Sequence, residues 1–153
     1  MPLTKSCPIP NSGSPLAPLA LQFAEAMTAS NLDGVSETLA EEYHHAFLPG
    51  AMFPAFTSKG NYLNHLKGIF PMFGEITADL KEFIVSAEGD TVVLHFSVSG
   101  RDTFGVPYAN DNLFIFRGAK QPDGTTKFIV CKEFINTKAI AEMMERTKLE
   151  GHK

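Results

Sequence analysis

The chain has 153 residues, enough for one domain with one hydrophobic core. Its net charge of −4 arises from 17 acidic against 13 Lys and Arg side chains, with no basic stripe of interleaved aromatics to suggest nucleic acid. No apolar run reaches the roughly 20 residues that a membrane-spanning helix needs, and no charged start followed by an apolar block marks a secretory signal.

Phe is abundant at 13 and Trp is absent. Such an interior either lines an apolar cavity or is simply core. The two cysteines, Cys7 and Cys131, make no disulfide framework. Free thiols in a reducing compartment point to the cytoplasm.

Residues 1–15 hold four prolines and no periodic apolar pattern. They read as a loose, flexible arm before a single domain over 16–153. Leu16, Leu19, Ala20, Phe23 and Met27 then recur at helical spacing, with Ser14 as the expected N-cap and Pro15 in the first turn. Asn31 is placed to cap a short second helix bearing Leu32, Val35 and Leu39. Tyr43 to Pro49 reads as extended. Thr57 or Ser58 caps a third helix, which buries Tyr62, Leu63, Leu66, Ile69 and Phe70 and stops at Pro71 and Gly74.

From Ile76 the pattern becomes that of strands. Ile76 to Val85 and Thr91 to Ser99 flank a turn at Glu88-Gly89-Asp90. Tyr108 to Arg117 and Thr125 to Ile135 flank Gln121-Pro122-Asp123-Gly124, where Asp-Gly supplies the positive φ of a hairpin turn. A last helix, capped by Asn136 or Thr137, carries Ile140, Met143, Met144 and Leu149. Helices gathered on one face of an antiparallel sheet define an α+β domain, and a curved sheet around them leaves a pocket at one end.

Three polar residues interrupt the oily ribbon of the last two strands: Asn110, Asn112 and Glu133. A carboxylate in a buried strand is costly unless it is paired, neutralised or used. If the face it shares with Ile129, Cys131 and Ile135 is the cavity, Glu133 is a usable proton donor or acceptor. Otherwise it pairs with Lys132, Lys138 or Arg117 at the sheet rim. Asn112 has the parity of Asn110, Phe114 and Phe116, and a pocket amide there can hold a carbonyl or enolate; Asn110 reads more readily as a turn or bulge residue. His45 crosses the expected pocket mouth and can partner Glu133, while His44 points the other way. His95 lies on the polar face of its strand, outside or at a dimer interface. His65 and His152 read as bland. A metal site is not expected, because only His44 and His45 are clustered and adjacent histidines on extended backbone diverge. No Gly-x-Ser-x-Gly elbow or Gly-rich phosphate loop occurs.

The order of elements, the corner Ser30-Asn31-Leu32-Asp33-Gly34, and Gly105-x-Pro-Tyr-x-Asn110 before an aromatic strand resemble the nuclear transport factor 2-like superfamily. Within it, the chain looks most like the SnoaL-like, polyketide cyclase-like proteins. Tyr43-x-His45-x-Phe47-Leu48-Pro49 is similar to a segment of fungal SnoaL-like proteins. Lys132-Glu133-Phe134-Ile135-Asn136 is similar to the segment closing the sheet in phenazine-biosynthesis A/B proteins.

This resemblance implies a conical, cystatin-like α+β fold, a deep apolar pocket, no cofactor, and a homodimer packed through the sheet. Phe23, Tyr43, Phe47, Asn110, Phe114 and Phe116 are the expected substrate-binding residues. The ketosteroid isomerase sites of this fold are not reproduced. Phe47 or Leu48 stands where their Asp base lies, Phe23 where their oxyanion-hole Tyr lies, and Asn112 where their buried Asp lies. The acid/base Glu of the phenazine proteins matches Glu133, whereas their His, near Thr77 or Ala78 here, is unmatched. The expected activity is a cofactor-independent cyclase, isomerase or dehydratase of secondary metabolism, moving a proton on an apolar carbonyl-bearing substrate through Glu133, His45 and Asn112. A non-catalytic ligand-binding protein of the same fold is the alternative. A third reading is a protein-interaction domain, which predicts a partner surface on the sheet and no closed cavity.

Overall fold

A computed structural model of the chain describes residues 1–50 and 53–150. Its elements, in order, are β1 (Leu3–Lys5), α1 (Leu16–Thr28), α2 (Leu32–Thr38), β2 (Leu39–Leu48), α3 (Lys59–Ile69), a 3-10 turn (Phe70–Met72), β3 (Phe73–Val85), β4 (Thr91–Asp102), β5 (Pro107–Lys120), β6 (Thr126–Phe134) and α4 (Thr137–Glu150). His152 falls outside the described residues.

The helix ends follow side-chain chemistry. The Ser14 hydroxyl accepts the Leu16 N–H and donates to the Gly89 carbonyl, tying the entry of α1 to the β3–β4 turn. Asn31 Oδ1 accepts the Gly34 N–H at 3.0 Å, and Ser58 Oγ accepts the Asn61 N–H at 3.1 Å. Each satisfies a backbone donor that the helix cannot. Asn136 Oδ1 accepts the Ala139 N–H and starts α4.

One sheet of six strands runs in the order β1-β3-β4-β5-β6-β2. The central ribbons pair antiparallel, as their hairpin turns require, and Gly124 has the expected positive φ of 86°. The sheet is nevertheless mixed rather than antiparallel throughout. β2 lies parallel to β6, and β1 lies parallel to β3. Both are reached through long connections, which permit parallel pairing where a tight hairpin does not. The arm is therefore not loose along its whole length. The Ala78 N–H bonds to the Pro2 carbonyl and the Ser6 N–H to the Leu80 carbonyl, so the arm covers the open edge of β3.

The core lies between α1 and the concave face of the sheet. Phe23 meets Phe116 and Phe114 edge-on, with ring centroids 4.7 and 5.6 Å apart, and Phe116 stacks on Phe128 at 4.2 Å. Edge-on and offset contacts of this kind fit the charge distribution of aromatic rings. A second cluster of Ile69, Ile76, Tyr108, Ile140 and Met143 joins α4 to the far end of the sheet. Arg146 of α4 is held there by Asp102 through two hydrogen bonds of 2.9 and 2.7 Å.

Candidate active site

Alternation along two strands builds the site. On β2, Tyr43, His45 and Phe47 face inward and His44 faces solvent. On β5, Tyr108, Asn110, Phe114 and Phe116 are buried on one face, with Asn112 half-buried among them. On β6 the pairing register slips between Arg117 and Gly118, which face Val130 and Phe128. The extra residue, Ile129, lies upstream of Glu133, so Cys131 and Glu133 both keep the inward face. Phe47 and Glu133 are register partners across β2 and β6.

These side chains converge. Glu133 is 5% exposed and His45 0%. His45 Nε2 lies 2.7 Å from Glu133 Oε2, and His45 Nδ1 lies 2.7 Å from the Tyr43 hydroxyl. Asn112 Nδ2 donates to Glu133 Oε1 at 2.9 Å. The carboxylate thus has both oxygens engaged in the interior, not at the rim with a lysine. The His45 ring stacks on Tyr62 with centroids 4.1 Å apart and planes 14° from parallel. Its backbone N–H and carbonyl are both taken by Phe56. A ring held on this many sides has a fixed orientation, with Nε2 directed at the Glu133 carboxylate.

Glu133 and Asn112 form part of the wall of a cavity of about 110 Å³. Its remaining walls are mainly apolar, from Phe23, Phe47, Phe96, Val98 and Phe114 on the α1 and sheet sides and from Ile140 of α4. By comparison, a cavity of about 150 Å³ holds benzene. The space therefore takes a small ring or the head of a longer ligand.

Of the residues expected to bind substrate, Phe23, Phe47, Asn110 and Phe114 line the cavity. Tyr43 and Phe116 are not among its lining residues. Tyr43 stands behind His45, at the end of the hydrogen-bond chain, and Phe116 is spent in the Phe23–Phe128 stack. His45 also reaches the cavity only through Glu133. Asn110 is not a turn or bulge residue. It sits within β5, donates to the Tyr108 hydroxyl and the Asn136 carbonyl, and accepts the Asn136 N–H, pinning the start of α4. His95 faces the open side of the sheet, 3.0 Å from Asp111. The lining residues outside the expected set include Tyr62, assigned only to the core, and His65, read as bland.

Burial, more than any partner charge, sets the protonation of the groups around the carboxylate. It pushes Tyr43 and Tyr62 well above the ordinary phenol range, so both remain O–H donors. It also raises the Cys131 thiol well above its ordinary value, which leaves that cysteine inert. Among the described residues, no three His, Cys, Asp or Glu side chains gather as a metal site would need.

A curved, open sheet packed over helices, with one buried acid in an apolar cavity, defines a pocket protein of the nuclear transport factor 2-like kind. The family model of the SnoaL-like domain matches residues 20–125, and the chain belongs to that family. No curated protein matches it in sequence. Solved structures share the fold. PrhC from Penicillium brasilianum NBRC 6234 superposes with a TM-score of 0.70 at 15% identity, covering 90% of each chain. BvnE pinacolase from Penicillium brevicompactum gives 0.71 at 18% identity, over 94% of this chain and 98% of that one. An LEH-like epoxide hydrolase from M. tuberculosis gives 0.61 at 11% identity, over 84% and 88%.

Proposed function

We propose that the chain is a cofactor-independent enzyme of secondary metabolism that moves a proton on a small apolar, carbonyl-bearing substrate. The carrying observation is Glu133, buried in the cavity wall with one oxygen on His45 Nε2 and the other on Asn112 Nδ2. The carboxylate takes a proton from the carbon beside the carbonyl. The C–H electron pair moves into the carbonyl oxygen and gives an enolate. The proton then rests on Glu133 or on His45 across 2.7 Å and is returned at another atom. The Tyr43 hydroxyl follows by donating to or accepting from Nδ1. Asn112 orients the carboxylate rather than standing free for the substrate, since at least one of its N–H groups is engaged. Apolar walls exclude water that would quench the enolate.

Return of the proton at a new carbon is isomerisation. Loss of a β-hydroxyl is dehydration, and attack on a second carbonyl is cyclisation. The names pinacolase and epoxide hydrolase among proteins of the same fold support small-molecule chemistry in such a pocket. The homodimer through the sheet belongs to the same proposal. Ile84, Val93 and Ile115 adjoin across three strands of the open face, and Leu113 pairs with Phe134; Ile84 and Phe134 are exposed. Cytoplasmic residence is supported by two free cysteines, and no helix among the described residues is long and apolar enough to cross a membrane.

The test is turnover of a panel of cyclic ketones, enones and hydroxyketones. Glu133→Gln is expected to keep binding and lose turnover by a hundredfold or more, within the roughly 10²–10⁴-fold range of general acid–base catalysis. Equal turnover by both proteins would end the role of Glu133 as the group that moves the proton, and binding without turnover in the wild type would leave a carrier protein.

A further inference from the structure

Resting on the cavity and Glu133 reading above, we propose that Tyr62 and His65, one turn apart on α3, form a two-donor seat for the substrate's carbonyl oxygen. The sheet wall then supplies the base and the helix wall supplies the electrophile. The need for such a seat is chemical. An enolate formed in an apolar cavity is stable only if neutral or cationic donors meet its oxygen. Asn112, the donor nearest in sequence logic, already donates to Glu133. Phe23 stands where the resemblance would place a tyrosine donor, and it has no polar atom to give.

The helix wall has what is missing. Tyr62 is 1% exposed, and its hydroxyl is one of two buried side-chain polar atoms left without a hydrogen-bond partner among the described residues. A buried hydroxyl without a partner costs stability and calls for an explanation. His65 also lines the cavity. Its ring is packed among Phe47, Phe53 and Phe56, with centroids 5.4, 6.5 and 4.9 Å away, and among the described residues its nitrogens have no hydrogen-bond partner. The spacing of three places both side chains on one helix face.

Their protonation suits the task. Burial pushes His65 below its ordinary value, and His45 adds to that, while the Glu133 charge only partly offsets it. His65 is therefore a neutral imidazole with one N–H to give. Tyr62 is held as a phenol, first by burial and then by the Glu133 charge. Two neutral donors bind a neutral ketone without requiring a counter-charge, and they bind the developing enolate better.

The test uses cyclopentanone and methylenecyclopentane, an isosteric pair in which C=CH₂ replaces C=O, titrated by NMR against the full-length chain. Cyclopentanone is expected to bind more tightly to the wild type. Tyr62→Phe and His65→Leu should each weaken the ketone by about three- to tenfold, the range for loss of one neutral hydrogen bond, and leave the hydrocarbon unchanged. Tyr62→Phe should also fold as stably as the wild type or more so, since among the described residues the hydroxyl has no hydrogen-bond partner to lose. Equal weakening of both ligands would show that the two residues only shape the cavity and would overturn the seat. So would wild-type binding that does not distinguish ketone from hydrocarbon, or a marked loss of stability in Tyr62→Phe. If neither compound binds, the cavity reading itself fails, and the seat fails with it.

Discussion

Replacing His45 by Phe tests whether the buried chain from Tyr43 to Asn112 holds the site together. The new ring is close in size and can keep the stack on Tyr62. What it cannot keep is either 2.7 Å hydrogen bond. The Tyr43 hydroxyl, with its residue fully buried, is left without its His45 partner, at about 1–3 kcal/mol. Glu133 loses the partner of one oxygen but keeps Asn112 on the other, so its loss falls toward the lower end of the roughly 3–5 kcal/mol for breaking a buried pair. The contributions share one network and do not add fully, which puts the total at about 4 kcal/mol. Glu133→Gln behaves differently. Its amide accepts from Asn112 and donates to Nε2, while Nδ1–H turns toward Tyr43, so it should cost about 1 kcal/mol or less. With a urea slope near 2 kcal/mol/M, His45→Phe lowers the unfolding midpoint by about 2 M and Glu133→Gln by about 0.5 M or less. A midpoint for His45→Phe within 0.5 M of the wild type, on the same slope, would refute a formed His45–Glu133 pair.

Asp102 and Arg146 give a prediction with a defined pH window. Burial alone raises the Asp102 carboxyl, but the hydrogen bonds from Arg146, Val106 N–H and Phe104 N–H, with the Arg146 charge, outweigh it and hold the group below its ordinary 3.8. A carboxyl depressed in the folded state contributes stability above its unfolded value and loses it as pH falls through the folded value. Arg146→Met should therefore cost about 2–3 kcal/mol at pH 7, and the gap from the wild type should shrink below about pH 4, read by urea unfolding across pH; a pH-independent gap would contradict the charge origin. Gly100 has φ of 150°, and a Cβ there would lie 2.0 Å from the Glu75 carbonyl oxygen. Gly100→Ala should destabilise by about 2 kcal/mol or more in thermal melts, because the obstacle is backbone and cannot turn aside; an unchanged melting temperature would contradict the close β3–β4 approach.

Much of the site was legible because strands have a period of two. Tyr43, His45 and Phe47 had to share a face, as did Asn110, Asn112 and Phe114, and a buried Glu133 had to find a partner. The inward face of Glu133 was less secure, since a bulge near Lys132 would have reversed it; the register shift falls at Ile129 instead. Parity says which way a side chain points but not how far along the wedge it lies. Tyr43 and Phe116 were therefore placed in the pocket although other side chains stand before them. His65 could have been found, because Tyr62, His65, Leu66 and Ile69 lie on one arc of α3 and the other three were already assigned to the buried side. The parallel pairing of β1 had no local signal. It depends on an open edge of β3 that only the folded sheet presents.

The most direct measurement of the central claim is deuterium exchange into the α-carbon positions of cyclopentanone in D₂O, followed by NMR with the wild type and Glu133→Gln. Exchange faster than buffer in the wild type and at the buffer rate in Glu133→Gln is the expected result. Wild-type exchange at the buffer rate, with the ketone bound in the cavity, or equal acceleration by both proteins, would contradict Glu133 as the group that moves the proton.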